Sequence, residues 1–124
     1  MAPVPILRIF DETRAREFYV GFLGFKIDWE HRFAPTAPLY MQVSREGCVL
    51  HLSEHHGDGC PGAALRVGVE GGVAAYQQAL VAKQYKYYRP GLIETAWGTR
   101  ECSVQDPFGN KLIFSEPLAR ESAG

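Results

Sequence analysis

The chain has 124 residues, 46% of them hydrophobic and 22% charged, a length that suits one domain able to bury about two thirds of its unfolded surface without staples. Thirteen basic residues against fourteen acidic ones leave a net charge of −1; the signs are interspersed, no basic stripe can neutralise phosphates, and nucleic acid is not an expected partner. No apolar run approaches bilayer length, the first residues lack the basic-then-apolar order of an export signal, and Cys48, Cys60 and Cys102 are widely spaced with no Cys-x-x-Cys pair, so a soluble cytoplasmic protein with structural thiols and no membrane partner is expected.

Val4 to Phe10 is a short apolar run, and Asp11 stands where a helix N-cap accepts from the first free amides. Ala15, Phe18, Tyr19, Phe22 and Leu23 then fall at i, i+3, i+4, i+7 and i+8, one continuous apolar stripe. Gly24 ends the helix by accepting a left-handed backbone. Strands are expected over Phe25 to Arg32, Leu39 to Ser44 and Cys48 to Glu54, with turns through Pro35 and Pro38 and at Arg45-Glu46-Gly47.

The order then repeats. Ala63 to Val69 alternates with Leu65, Val67 and Val69 on one face; Gly71-Gly72 opens a helix carrying Val73, Tyr76 and Leu80. Tyr85 to Tyr88 suits a strand, Pro90-Gly91 turns the chain, and Thr99 to Gln105 is the next strand. Asp106-Pro107-Phe108-Gly109-Asn110 makes a tight reversal into Lys111 to Glu116. The closing strands Leu50-His51-Leu52-Ser53-Glu54 and Leu112-Ile113-Phe114-Ser115-Glu116 are near copies. One α+β domain over 1–124 results, built of two βαβββ modules whose mixed sheet curls into a cup: module one about 4–54, a polar Gly/Pro-rich linker 55–62, module two about 63–116, and a tail 117–124.

The chain resembles the vicinal oxygen chelate superfamily, which includes glyoxalase I, extradiol dioxygenases, fosfomycin-modifying enzymes and the bleomycin-resistance proteins. The resemblance rests on Phe18-Tyr19 through Leu23-Gly24-Phe25, on the paired closing strands, and on Trp97-Gly98-Thr99-Arg100-Glu101 leading to Asp106-Pro107-Phe108-Gly109-Asn110. The last stretch is most similar to the bleomycin-resistance branch. The resemblance implies a homodimer in which module one of one subunit faces module two of its mate, and a role in antibiotic resistance by sequestration, with no bond made or broken.

Enzymes of the superfamily hold a divalent ion with side chains from the first and last strands of each module. Against glyoxalase I the corresponding positions here are Val4, His51, Ala64 and Ile113. A catalytic ion needs about three His, Asp, Glu or Cys ligands, so no metal and no cofactor are expected, and no catalytic residues are assigned. His55, His56 and Asp58 read as a solvated linker. His51 with Ser53 lacks an orienting third group and reads as a hydrogen-bonded lining pair.

An apolar cup floor with aromatic walls favours a planar ligand held by stacking. Trp29, Phe33, Tyr40, His51, Trp97 and Arg100 are the candidate ligand-binding residues, with Glu101 beside them for orientation; Tyr85, Tyr87 and Tyr88 read as half-buried sheet residues. Trp29, Phe33 and Trp97 suit a groove or a subunit interface equally, and the two coincide if the dimer forms as implied. The reading is a metal-free protein that sequesters a small aromatic or heterocyclic ligand. The alternative is a divalent-metal-dependent lyase, isomerase or dioxygenase of the same superfamily. The charge of −1 provides little steering toward a polycation.

Overall fold

In a computed structural model of the chain, which describes residues 2–85 and 90–118, the duplicated pattern folds as two four-stranded sheets, one per module. The first module runs β1 (Ile6–Arg8), α1 (Glu12–Ala15), a π-helical continuation (Arg16–Phe22), β2 (Lys26–His31), β3 (Tyr40–Arg45) and β4 (Cys48–Ser53). The second runs β5 (Ala64–Gly68), α2 (Val73–Ala82), β6 (Leu92–Glu94), β7 (Thr99–Gln105) and β8 (Lys111–Pro117). Each sheet has the same spatial order, β1-β4-β3-β2 and β5-β8-β7-β6.

Asp11 caps the first helix, its carboxylate accepting from the Arg14 amide at 2.9 Å. The predicted stripe is the buried one: Ala15, Phe18, Tyr19, Phe22 and Leu23 are all buried, each large side chain contributing roughly 1.5–3 kcal/mol. The Leu23 amide reaches back five residues to the Phe18 carbonyl, 2.9 Å, the widened spacing of a π turn. Gly24 follows with φ +82°, as its place after the stripe requires.

β1 lies parallel to β4, with Ile6 opposite His51 and Arg8 opposite Ser53; β4 with β3 and β3 with β2 are antiparallel. Because side chains alternate between faces, Leu7, Ile9, Met41, Val43, Leu50 and Leu52 form the buried face. Ile6, Tyr40, Gln42 and His51 stand on the other.

The duplication is exact in register. The Ile9 amide donates to the Ser53 carbonyl at 2.9 Å, and the Val69 amide donates to the Ser115 carbonyl at 2.8 Å. These bonds equate positions 60 apart in the opening strands and 62 apart in the closing strands, the offsets that pair Val4 with Ala64 and His51 with Ile113. In the second module Val73, Leu80, Cys102, Val104, Leu112 and Phe114 are buried, and Tyr76 packs edge-on against Phe114 at 5.1 Å.

The chain divides into two compact units: the residues up to Ala63 together with Gln105–Lys111, and Ala64–Val104 together with the residues from Leu112 onward. The Asp106–Asn110 reversal thus belongs to the first unit, and its chemistry explains why. Buried Asp106 accepts from the Tyr19 hydroxyl at 2.6 Å, from the amides of Phe108 and Asn110 at 2.9 and 2.8 Å, and from Asn110 Nδ2 at 2.8 Å. Asn110 also donates to the Arg8 carbonyl at 2.8 Å and accepts from the Ala63 amide at 3.2 Å. The Asp-Pro-Phe-Gly-Asn segment is therefore a structural clip on the first helix and β1.

Two expectations change. Tyr85 lies in no strand, positions 86–88 of the expected strand fall outside the described residues, and β6, after the Pro90-Gly91 turn, is the strand that flanks β7 opposite β8. The linker is mostly exposed, as its composition suggests, except that His55 and Asp58 are half-buried and Gly59, at φ +69°, runs so close to β1 that a Cβ there would lie 2.7 Å from the Ile6 carbonyl oxygen.

Candidate functional site

A β-bulge decides what the open face of the first sheet presents. Ile27 pairs with Val43 on the core side, yet Trp29 pairs with Gln42 on the open side, so Asp28 is the extra residue between them. Were the pairing regular with Asp28 in step, Phe25, Ile27 and Trp29 would share one face by strict alternation. Phe25 is buried, Ile27 half-buried, and Trp29 is 42% exposed.

Turned outward, Trp29 stacks on Tyr40 with ring centroids 6.0 Å apart and planes 11° from parallel. His51 stands edge-on to both, 5.3 Å from Trp29 and 5.2 Å from Tyr40. Tyr40 and His51 belong to a chain of hydrogen bonds whose direction follows from its end. Asp28 accepts from Gln42 Nε2 and from Ser44 Oγ, both at 3.0 Å, and these bonds hold its carboxyl below the usual range. An ionised carboxylate only accepts, so Gln42 turns its amide NH2 to Asp28 and its oxygen to His51. His51 Nε2 then donates to Gln42 Oε1 at 3.0 Å, which leaves Nδ1 to accept from the Tyr40 hydroxyl at 2.7 Å. Burial, and secondarily the charge of Asp58, push the Tyr40 hydroxyl up and keep its proton in place for that bond.

The strip continues past Tyr40. His55 lies 6.4 Å from the Tyr40 ring and 6.0 Å from Phe33, and Phe33 meets His31 edge-on at 4.7 Å. Phe33 is 80% exposed. Trp29, Phe33, Tyr40 and His51 are thus brought together on one face.

On the second sheet, Glu101 lies opposite Ile93 and is buried. Its Oε2 accepts from Arg66 Nη1, from Thr99 Oγ1 at 2.9 Å and from Ser115 Oγ at 3.3 Å, and the Arg66 guanidinium holds its carboxyl below the usual carboxylate value. Arg66 sits 6.0 Å from the ring of Trp97, which is 67% exposed. Arg100, next to Glu101 on β7, points to the opposite face and pairs with Glu94 at 3.0 Å and Glu116 at 3.7 Å. Arg66, and not Arg100, is the cation beside Trp97, and Arg100 faces away from Glu101 because neighbours along a strand face opposite sides.

Residues 2–121 of the chain match the family model described as glyoxalase superfamily protein. The chain belongs to the glyoxalase superfamily. Its fold is that of a bleomycin-binding protein solved in complex with bleomycin (18% identity, 94% of this chain and 98% of that one covered, TM-score 0.71). It is also that of a bleomycin resistance determinant encoded on the transposon Tn5 (17% identity, 94% and 98% covered, TM-score 0.71). A glyoxalase/bleomycin resistance protein from Catenulispora acidiphila DSM 44928 shares it too (19% identity, 94% and 97% covered, TM-score 0.68). No curated protein sequence matches this one significantly.

The divalent ion of the superfamily's enzymes does not suit the residues present. Val4, Ala64 and Ile113 carry no donor, and both ring nitrogens of His51 are engaged by Tyr40 and Gln42. Among the described residues no three His, Cys, Asp or Glu side chains converge. No helix among them is long and apolar enough to cross a membrane.

Sequence reasoning gave no binding role to His31, Gln42, Asp28, His55 or Arg66. Period-2 alternation from Tyr40 points to Gln42, and from Trp29 to His31, so those two were within reach. The bulge that brings Asp28 under Gln42 leaves no comparable mark in the sequence.

Proposed function

We propose that this glyoxalase-superfamily chain is a binding protein that captures an aromatic or heterocyclic, antibiotic-like small molecule without transforming it. The proposed assembly is a homodimer whose groove forms between the open face of the first sheet of one subunit and that of the second sheet of its partner. Trp29, Phe33, Tyr40 and His51 then line one wall and Trp97 the other; Arg100, held by Glu94 and Glu116, is left out.

The observation that carries this reading is the Trp29–Tyr40–His51 cluster. A large exposed ring packs on Tyr40 and His51, which a hydrogen-bond chain ending on a carboxylate fixes in place, so little side-chain freedom remains to be lost on binding. Stacking on Trp29 and Tyr40 supplies about 0.5–1.5 kcal/mol per ring pair beyond area burial. Engaging both nitrogens of His51 within the protein suits a lining residue better than a proton-transfer group. The bleomycin bound by the structural relative makes that antibiotic the first ligand to try.

Titration with bleomycin and with planar heteroaromatics, read by tryptophan fluorescence, tests the reading, with native mass spectrometry reporting the oligomer. Trp29→Ala is expected to weaken a bound ligand about tenfold, the equivalent of one lost ring pair. A monomer whose tryptophan emission responds to none of these compounds would overturn it.

A further inference from the structure

Glu101 is only 4% exposed, yet half of its carboxylate has nothing to do inside the protein. Arg66, Thr99 and Ser115 all converge on Oε2, and Oε1 accepts from no described residue. Oε1 is not sealed in either, since no buried side-chain oxygen or nitrogen among the described residues lacks a partner. It therefore opens toward solvent on the outer face of the second sheet, fixed there by three donors to its sister oxygen. Beside it, the Arg66 side chain is 52% exposed, and a single guanidinium nitrogen is bonded to Glu101, leaving donors on the same edge. Trp97 flanks Arg66 at 6.0 Å.

We propose that Glu101, Arg66 and Trp97 form a subsite for a primary carboxamide borne on a planar ring, a specificity element of the capture site on which this inference rests. The carboxylate accepts one amide N–H, the guanidinium donates to the amide carbonyl, and the indole covers the ring. Donor and acceptor side by side match the edge of a carboxamide. A ligand carboxylate would face Oε1 with like charge, and an N,N-dialkylated amide has no proton to give it.

Nicotinamide, N,N-dimethylnicotinamide and nicotinate are the probes, titrated into the full chain with the two tryptophan indole N–H signals followed by NMR. Nicotinamide is expected to shift the Trp97 signal and to bind about tenfold more tightly than its dimethyl analogue, as one hydrogen bond to an ionised partner implies. Glu101→Leu and Arg66→Leu should each abolish that preference; the second variant alters an exposed side chain and guards against loss of fold in the first. Equal binding of nicotinamide and the dimethyl analogue, or a Trp97 signal that stays fixed while Trp29 responds, would overturn the subsite and leave the capture reading standing. Silence of both indoles toward every aromatic probe would remove both.

Discussion

Replacing Tyr19 with Phe isolates the bond that ties the Asp106–Asn110 clip to the first helix. The ring stays in its place, edge-on to Phe18 and Phe25 at 5.0 and 6.4 Å, and only the hydroxyl at 2.6 Å from Asp106 Oδ2 is lost. That oxygen keeps one donor, Asn110 Nδ2, in a side chain that is 4% exposed. A hydrogen bond to a charged group contributes about 1.5–3 kcal/mol, so a loss of about 2 kcal/mol is expected at neutral pH, or about 8 °C in Tm for a chain of this length. Urea unfolding measures it, with an unchanged m-value showing that the denatured state is unaltered.

The pH dependence makes the test stricter. Burial first, and then the charge of Asp106, push the Tyr19 phenol well above its ordinary value of 10.0. A group raised in the folded state contributes stability in full below its unfolded pKa, and that contribution fades as pH rises past it. The gap between wild type and Tyr19→Phe should therefore narrow above about pH 10. A variant within about 0.5 kcal/mol of wild type at neutral pH, or a gap constant into the alkaline range, would refute the clip as described.

Two further outcomes follow from burial and charge. Cys102 is buried and its thiol is pushed up to about 11 by desolvation, while Cys48 is half-buried and raised, and Cys60 is exposed. A thiol reagent at mildly alkaline pH should modify Cys60 at once and Cys102 only on unfolding, with three rapid equivalents from the native protein counting against the packing. Glu12, held down by Arg16 and Arg32, and Glu101, held down by Arg66, both have depressed folded values. Their stabilisation is present above the ordinary carboxyl value of 4.5 and lost as pH falls through the folded values, so Arg66→Leu should flatten the acid limb of the stability curve measured by thermal unfolding.

Where one physical rule governed a segment, the sequence was legible. The stripe from Ala15 to Leu23 needed only helical spacing, and the closing strands needed only their repetition, which the paired Ser53 and Ser115 carbonyls reproduce. Two rules in competition were harder. Tyr85 has strand composition yet lies in no strand, while the plainer Leu92–Glu94 pairs with β7, since register belongs to the partner strand as much as to propensity. His55 sits in a Gly/Pro-rich stretch that reads as solvent-facing, but the tight passage at Gly59 brings the segment over β1. Arg100 was placed beside its sequence neighbour Glu101 although alternation separates them, and Arg66, far away in sequence, holds the position instead.

The single inserted residue at Asp28 shifts the parity of its strand. Everything before it is counted inward on odd positions, everything after it on even ones, and the same residue supplies the carboxylate that Gln42 and Ser44 bond on the open face. Removing it would restore an unbroken count that still turns Trp29 outward from Ile27, but the ring would then rest on neighbours with no fixed anchor. What this position adds beyond orientation is the anchor, a carboxylate bonded by Gln42 and Ser44.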